Sequence, residues 1–113
     1  MGNLESWLLL RSLKSYTLRV MRHSESAAKV AEWLNSKSES CLEIVEAVYH
    51  ASLKSHPDHL LCMKQGMGWS GVLSIELKTQ KFAKDLASSL KLFINATSFG
   101  GADSLIVFFC NLS

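Results

Sequence analysis

Apolar positions recur along this chain first at helical spacing and later at strand spacing. Residues 3 to 14 predict a helix on which Leu4, Trp7, Leu8 and Arg11 share one side while Leu9, Leu10 and Leu13 fill the other. A helix apolar nearly all round has to be covered nearly all round. Asn3 suits its N-cap and Glu5 its first turn. Residues 15 to 35 predict a longer amphipathic helix. Its stripe is Val20, Ala27, Val30, Ala31 and Leu34, and its wet face is Arg19, Arg22, Glu25, Lys29 and Glu32, with Ser24-Glu-Ser26 as a candidate bend.

Beyond the polar connector Asn35 to Ser40, residues 42 to 49 can be read as helix or strand, and the β-branched content of Ile44–Val48 favours a strand. Ser52 to Pro57 reads as a loop, with Pro57 in the first turn of a short helix over 58–64. Gly66, Gly68 and Gly71 lead into a strand at Val72–Leu77 that alternates in character. Gln80 to Leu90 predicts an amphipathic helix with Phe82, Leu86 and Leu90 inward. Strands follow at Leu92–Thr97 and at Leu105–Phe109, the latter apolar on both faces. The order α-α-β-α-β-α-β-β predicts a single α+β domain over residues 1–113, with long helices over 3–35 and an α+β part over 42–109. Its sheet is expected to be small, mainly antiparallel and packed on helices.

Composition narrows the function classes. At 48% hydrophobic and 19% charged, the 113 residues describe a globular chain. A net charge of +2 leaves no basic footprint for nucleic acid. No run approaches the roughly 18 apolar residues of a membrane span, and Arg11 and Lys14 interrupt the apolar start, so no secretory leader is visible. Cys41, Cys62 and Cys110 are odd in number and widely spaced. They read as free thiols in a reducing, cytoplasmic setting, with Cys62 and Cys110 buried. Met-Gly-Asn-Leu-Glu-Ser fits a myristoylation pattern, but a plain helix start accounts for the same residues. The sequons at Asn95 and Asn111 matter only outside the cell.

Candidate chemistry is sparse. His56, His59 and Cys62 are spaced by three with His50 upstream, which makes a zinc site conceivable. The third position has rotated off the shared helix face and no second ligand pair closes the shell, so solvated histidines are the preferred reading. Ser26-Ala-Ala-Lys29 and Ser88-Ser-Leu-Lys91 match a Ser-x-x-Lys tetrad without its Lys-Thr-Gly companion. Gly68-Trp-Ser-Gly71 is one residue short of a nucleophile elbow, and Gly66-Met-Gly68 lacks the third glycine of a dinucleotide fingerprint. Trp7, Trp33 and Trp69 read as core residues.

Three blocks in order carry a resemblance. They are Gly2-Asn-Leu-Glu-Ser-Trp-Leu-Leu-Leu-Arg-Ser-Leu-Lys14 with Ala28-Lys-Val-Ala-Glu-Trp-Leu34; Val45-Glu-Ala-Val-Tyr-His50 through Ser55-His-Pro57; and Gly71-Val-Leu-Ser-Ile-Glu-Leu77 with Asn95-Ala-Thr-Ser-Phe-Gly-Gly-Ala-Asp-Ser-Leu-Ile106. Together they resemble the C-terminal part of the Cys/Met-metabolism family of pyridoxal-phosphate (PLP) enzymes, the cystathionine β-lyase and γ-synthase group. The resemblance implies the C-terminal small domain of a fold type I enzyme and the coenzyme pyridoxal 5'-phosphate. It also implies carbon–sulfur lyase activity in trans-sulfuration, a sulfur amino-acid substrate and a homo-oligomer. It places Thr97, Ser98, Phe99 and Gly100 at the edge of the substrate pocket. Thr97 stands where γ-acting members carry Glu, which tilts the implied reaction towards β-elimination.

The resemblance also marks departures. The family's Schiff-base lysine lies in a Ser-x-Thr-Lys context, and no lysine here has it. The arginine that clamps the substrate carboxylate, expected after the glycine pair, is absent too, and residues 107–113 depart from the family pattern. The expectation is therefore a fragment of a lyase that is inactive by itself, with no catalytic residue and no metal ligand in this chain. The alternative is a non-catalytic α+β module that pairs with a full-length relative or another protein.

Overall fold

The computed structural model describes residues 2–36, 43–98 and 100–109. The expectations for Cys41, Phe99, Cys110 and Asn111 lie outside them. The first helix, α1, runs Asn3–Leu13 with Gly2 as its N-cap, so Asn3 stands one position inside the helix. Ser6 donates to the Gly2 carbonyl from both its amide and its hydroxyl, at 3.0 and 2.9 Å. Glu5 at the start and Arg11 at the end suit the helix dipole. Helix α2 runs Tyr16–Asn35 without a break at Ser24–Ser26. Arg19 ties the two helices together. Its guanidinium donates to the Ser12 carbonyl at 3.2 Å, to the Ser12 hydroxyl at 3.2 Å and to the Ser15 hydroxyl, adding to the bond that the same carbonyl accepts from the Ser15 amide at 3.3 Å.

Strand β1, Val45–Tyr49, pairs antiparallel with β2, Ser74–Leu77. Between them lies helix α3, His59–Gln65. Asp58 caps α3 and Pro57 precedes it, so the proline sits outside the first turn. The register joins Val45 to Leu77 and Tyr49 to Ser74, with an irregularity between Val45 and Ala47. Helix α4, Gln80–Ser89, opens on Thr79, whose hydroxyl accepts from the Phe82 amide at 3.2 Å. Strands β3, Ile94–Asn95, and β4, Leu105–Ile106, form a separate parallel pair. The element order is the expected one, and so is the antiparallel β1–β2 ladder. The last two strands are two residues each, much shorter than their apolar runs.

The core is small. Among the described residues Ala27, Ala31, Leu53 and Ala87 are the buried apolar ones, and none of the large side chains is fully buried. The stripe of α2 is covered only in its second half, where the helix packs on β1; Val20 is exposed. On α4 the covered face is Ala83, Leu86, Ala87 and Leu90, at helical spacing. Phe82, expected inward, is exposed, because a two-stranded ladder is too narrow to reach it. Trp7 and Trp33 also lie on the surface rather than in a core, and Cys62 is only half-buried. Among the described residues no helix is long and apolar enough to cross a membrane.

The chain exposes 9307 Å², where a packed monomer of its mass exposes about 6,200 Å². Its radius of gyration is 16.5 Å, against about 13 Å for a compact chain of this length.

Tyr49 and Glu76 meet diagonally across the ladder, the phenol donating to Glu76 Oε2 at 2.9 Å. That bond, with the carboxylate's charge, holds the Tyr49 phenol above its ordinary value. A raised value means the contribution is present below the ordinary tyrosine value of about 10 and is lost as pH rises through the higher folded value. Ultraviolet titration of tyrosinate should therefore show Tyr49 ionising earlier in a Glu76→Gln variant than in the parent. An unchanged titration would contradict the pairing.

Candidate functional site

The loop that the sequence marks as a pocket edge lies between β3 and β4. Residues 96–104 make this crossover, fewer than the roughly twelve a parallel connection usually takes. The turn is completed by Gly100, whose φ of 78° is left-handed and suits glycine alone among ordinary residues. The Ile94 amide donates to the Ser104 carbonyl at 2.9 Å and closes the loop's neck. Thr97, Ser98 and Gly100 share this connection and are all solvent-exposed; Phe99 lies outside the described residues. A Cβ added at Gly100 or Gly101 would meet no atom within 4 Å. The loop is thus open around its glycine pair, where no described side chain closes on it.

A second polar centre is built on the turn after β1. His50 is 2% exposed. With its proton on Nε2, it donates to the Ser70 carbonyl at 2.9 Å, while Nδ1 accepts from the Ser52 hydroxyl at 2.7 Å and the Ser52 amide at 3.3 Å. His59 Nδ1 donates to the Ala51 carbonyl at 2.7 Å, and its ring stacks on Trp69 at 5.3 Å and 17°. The Trp69 amide donates to Ser24 on α2 at 2.9 Å. A Cβ at Gly71 would stand 2.7 Å from the Cβ of His23, so glycine is needed for the strap to lie against α2. His56 Nδ1 accepts from the Asp58 amide at 3.1 Å.

The histidines expected to be solvated are therefore fasteners of the 50–59 turn and the 66–71 strap. Among the described residues no three His, Cys, Asp or Glu side chains have the geometry to hold a metal ion. Sequence reasoning missed this clasp. Its only signal was histidine and serine crowded around short glycine-rich segments. A shallow cleft of about 390 Å³ also lies on α1, floored by Trp7 and Leu10 and rimmed by Arg11 and Lys14.

A sequence model of the Cys/Met metabolism PLP-dependent enzymes matches residues 1–113. The chain belongs to this family. The match includes residues 107–113, which the sequence pattern had placed outside it. The chain is 38% identical over 106 residues to the cystathionine beta-lyase of Lactococcus lactis subsp. cremoris (strain MG1363), covering 94% of this chain and 27% of that protein. It is 37% identical over 106 residues to the cystathionine gamma-synthase of Mycobacterium tuberculosis (strain ATCC 25618 / H37Rv), covering 93% of this chain and 26% of that one. Its fold is similar to the crystal structure of cystathionine gamma synthase from Xanthomonas oryzae pv. oryzae in complex with cystathionine. That likeness has a TM-score of 0.79 at 32% identity and covers 90% of this chain and 25% of the other. The chain thus spans about a quarter of the length of the relatives it matches, and its α+β fold is the one the resemblance implied.

The family is PLP-dependent, and a lysine that carries this coenzyme works from a desolvated pocket. Lys14, Lys29, Lys54, Lys64, Lys78, Lys81, Lys84 and Lys91 are all exposed, and Lys37 lies outside the described residues. The three arginines are engaged on α1 and α2: Arg11 over the Trp7 ring, Arg19 on the helix junction and Arg22 beside Glu25. The described residues do not by themselves fit as the coenzyme's anchor.

Gly100 and Gly101 separate backbone strain from crowding, since both have open space around them. Gly100→Ala should cost about 1–2 kcal/mol in urea denaturation for its left-handed backbone. Gly101→Ala should stay within about 0.5 kcal/mol. Equal effects would contradict the loop's assigned conformation.

Proposed function

We propose that this chain acts as the C-terminal part of a PLP-dependent carbon–sulfur lyase of the cystathionine β-lyase type, in the trans-sulfuration reactions of sulfur amino-acid metabolism. One observation carries the reading: 94% of the chain aligns with a cystathionine beta-lyase, yet only 27% of that protein is covered. The exposed surface supports it. The excess over a packed monomer is roughly 3,100 Å², well beyond the ~800 Å² that each partner buries in an ordinary interface. Apolar faces left bare here would be covered in a larger enzyme.

In that setting Thr97, Ser98, Phe99 and Gly100 form the substrate-side edge. The turn at Gly100 presents backbone groups towards the carboxylate of a sulfur amino acid, with Ser98 beside it. Thr97, neutral where γ-acting members carry Glu, supports β-elimination. The coenzyme supplies the electron sink that lets the carbon–sulfur bond break. Its lysine comes from outside these residues, so the chain alone is inactive. The enzyme works in the cytoplasm as the family's homo-oligomer.

A second reading is favoured by α1, which buries none of its residues: a non-catalytic module that pairs with a full-length relative. The check on the first is direct. The purified chain, given PLP and cystathionine, should release no thiol, and borohydride should fix no coenzyme on a specific lysine. A stable absorbance band of lysine-bound coenzyme, reduced onto one residue with thiol release, would overturn the claim of inactivity.

A further inference from the structure

The 66–71 strap carries Gly66, Gly68 and Gly71 and belongs to no helix or strand. Among the described residues, side chains from elsewhere in the chain fasten it. The Trp69 amide donates to Ser24 on α2, the Trp69 ring stacks on His59, and the Ser70 carbonyl accepts from His50 Nε2. A segment without ladder bonds can open while the elements around it stay folded. Two of its fasteners are histidines, and a second ring proton acts differently on them. His59 Nδ1 already donates to the Ala51 carbonyl, so a proton added at Nε2 leaves that bond and the stack in place. His50 Nδ1 accepts instead, from the Ser52 hydroxyl at 2.7 Å and the Ser52 amide at 3.3 Å. A ring protonated on both nitrogens can only donate. The hydroxyl can turn round to accept, but the amide cannot, and two N–H groups would then face each other.

The added charge would also be buried, since His50 is 2% exposed. Its surroundings offer no counter-ion. The charged side chains of the neighbouring elements, Glu25 and Lys29 on α2, Glu46 on β1, Glu76 on β2, and Lys54 and Asp58 on the turn, are all exposed. Tyr49 is bonded to Glu76, His56 holds the Asp58 amide, and His23 lies against Gly71. Among the described residues none of these pairs with the His50 ring. A buried charge without a partner is relieved by moving into water. We propose that His50 is a proton-sensitive latch: a second proton on its ring expels it from the turn, frees the Ser70 carbonyl and releases the 66–71 strap from α2. The second half of α2 and the β1–β2 ladder stay folded. This inference rests on the clasp and not on the catalytic reading.

Amide hydrogen exchange on the full chain, read by nuclear magnetic resonance from about pH 7.5 to about pH 5, spans the range in which histidine changes charge. Corrected for the intrinsic exchange rate, protection of the Ser52 and Trp69 amides should fall at least about tenfold in acid. Protection in the second half of α2 and in β1 and β2 should not fall with it. In His50→Gln, which cannot take up the proton, the two amides should show no pH step, while His56→Gln should keep it. If His50→Gln fails to fold, the parent's own ring decides. Its nitrogen shifts should show a proton on Nε2 alone at the upper pH, and the loss of protection should follow the arrival of the second proton on Nδ1. Unchanged protection, simultaneous loss through α2 and the ladder, a step that survives His50→Gln or vanishes in His56→Gln, or a step that precedes protonation of the His50 ring would each overturn the inference.

Discussion

Ala27 and Ala31 offer almost no side chain, and their smallness lets the second half of α2 lie against β1. Gly71 has no side chain at all, and any Cβ there would strike His23 on the same helix. Close approach to one face of α2 is thus the constraint on which the packed part of the molecule depends. The polar clasp follows from it. Once the 66–71 strap is drawn against α2, Trp69 reaches Ser24 and stacks on His59, and His50 closes the gap to Ser70. A buried imidazole with both ring nitrogens engaged is a satisfied group and stabilises the turn.

The same constraint explains what is left open. A core built on alanine and glycine is thin, and the large apolar side chains cannot enter it. They stay on α1, on the outer side of α3, and at Met67 on the strap. Under the proposed function, the rest of a longer enzyme of the Cys/Met-metabolism family covers them. The loop of Thr97, Ser98 and Gly100 fits this picture. It is exposed, with open space around Gly100 and Gly101.

Much of the fold could be read from residue pattern. The order of the eight described elements followed from spacing, and α1, read as apolar nearly all round, buries none of its residues. Side-chain burial was harder to foresee. Phe82 and Trp33 read as core because apolar periodicity signals burial, yet periodicity says nothing of how wide the opposing layer is, and here it is two strands. Long-range polar contacts were invisible for a similar reason. Ser24 and Trp69 are 45 positions apart, and no local rule links them. The left-handed backbone at Gly100 was not foreseen, since the glycine pair was read only through the family resemblance. The roles proposed for Thr97 and Ser98 rest on family resemblance rather than on their own chemistry, since two exposed hydroxyls have no distinctive signature.

Amide hydrogen exchange followed over a dilution series tests the central claim most directly, that the packed contacts gather on α2 and leave α1 without intramolecular cover. Protection at the clasp amides of Ser52 and Trp69 and along the second half of α2 should be independent of concentration. At the lowest concentration, protection along α1 should be that of an open helix. Slow exchange in α1 that matches α2 and persists at every concentration would contradict the account.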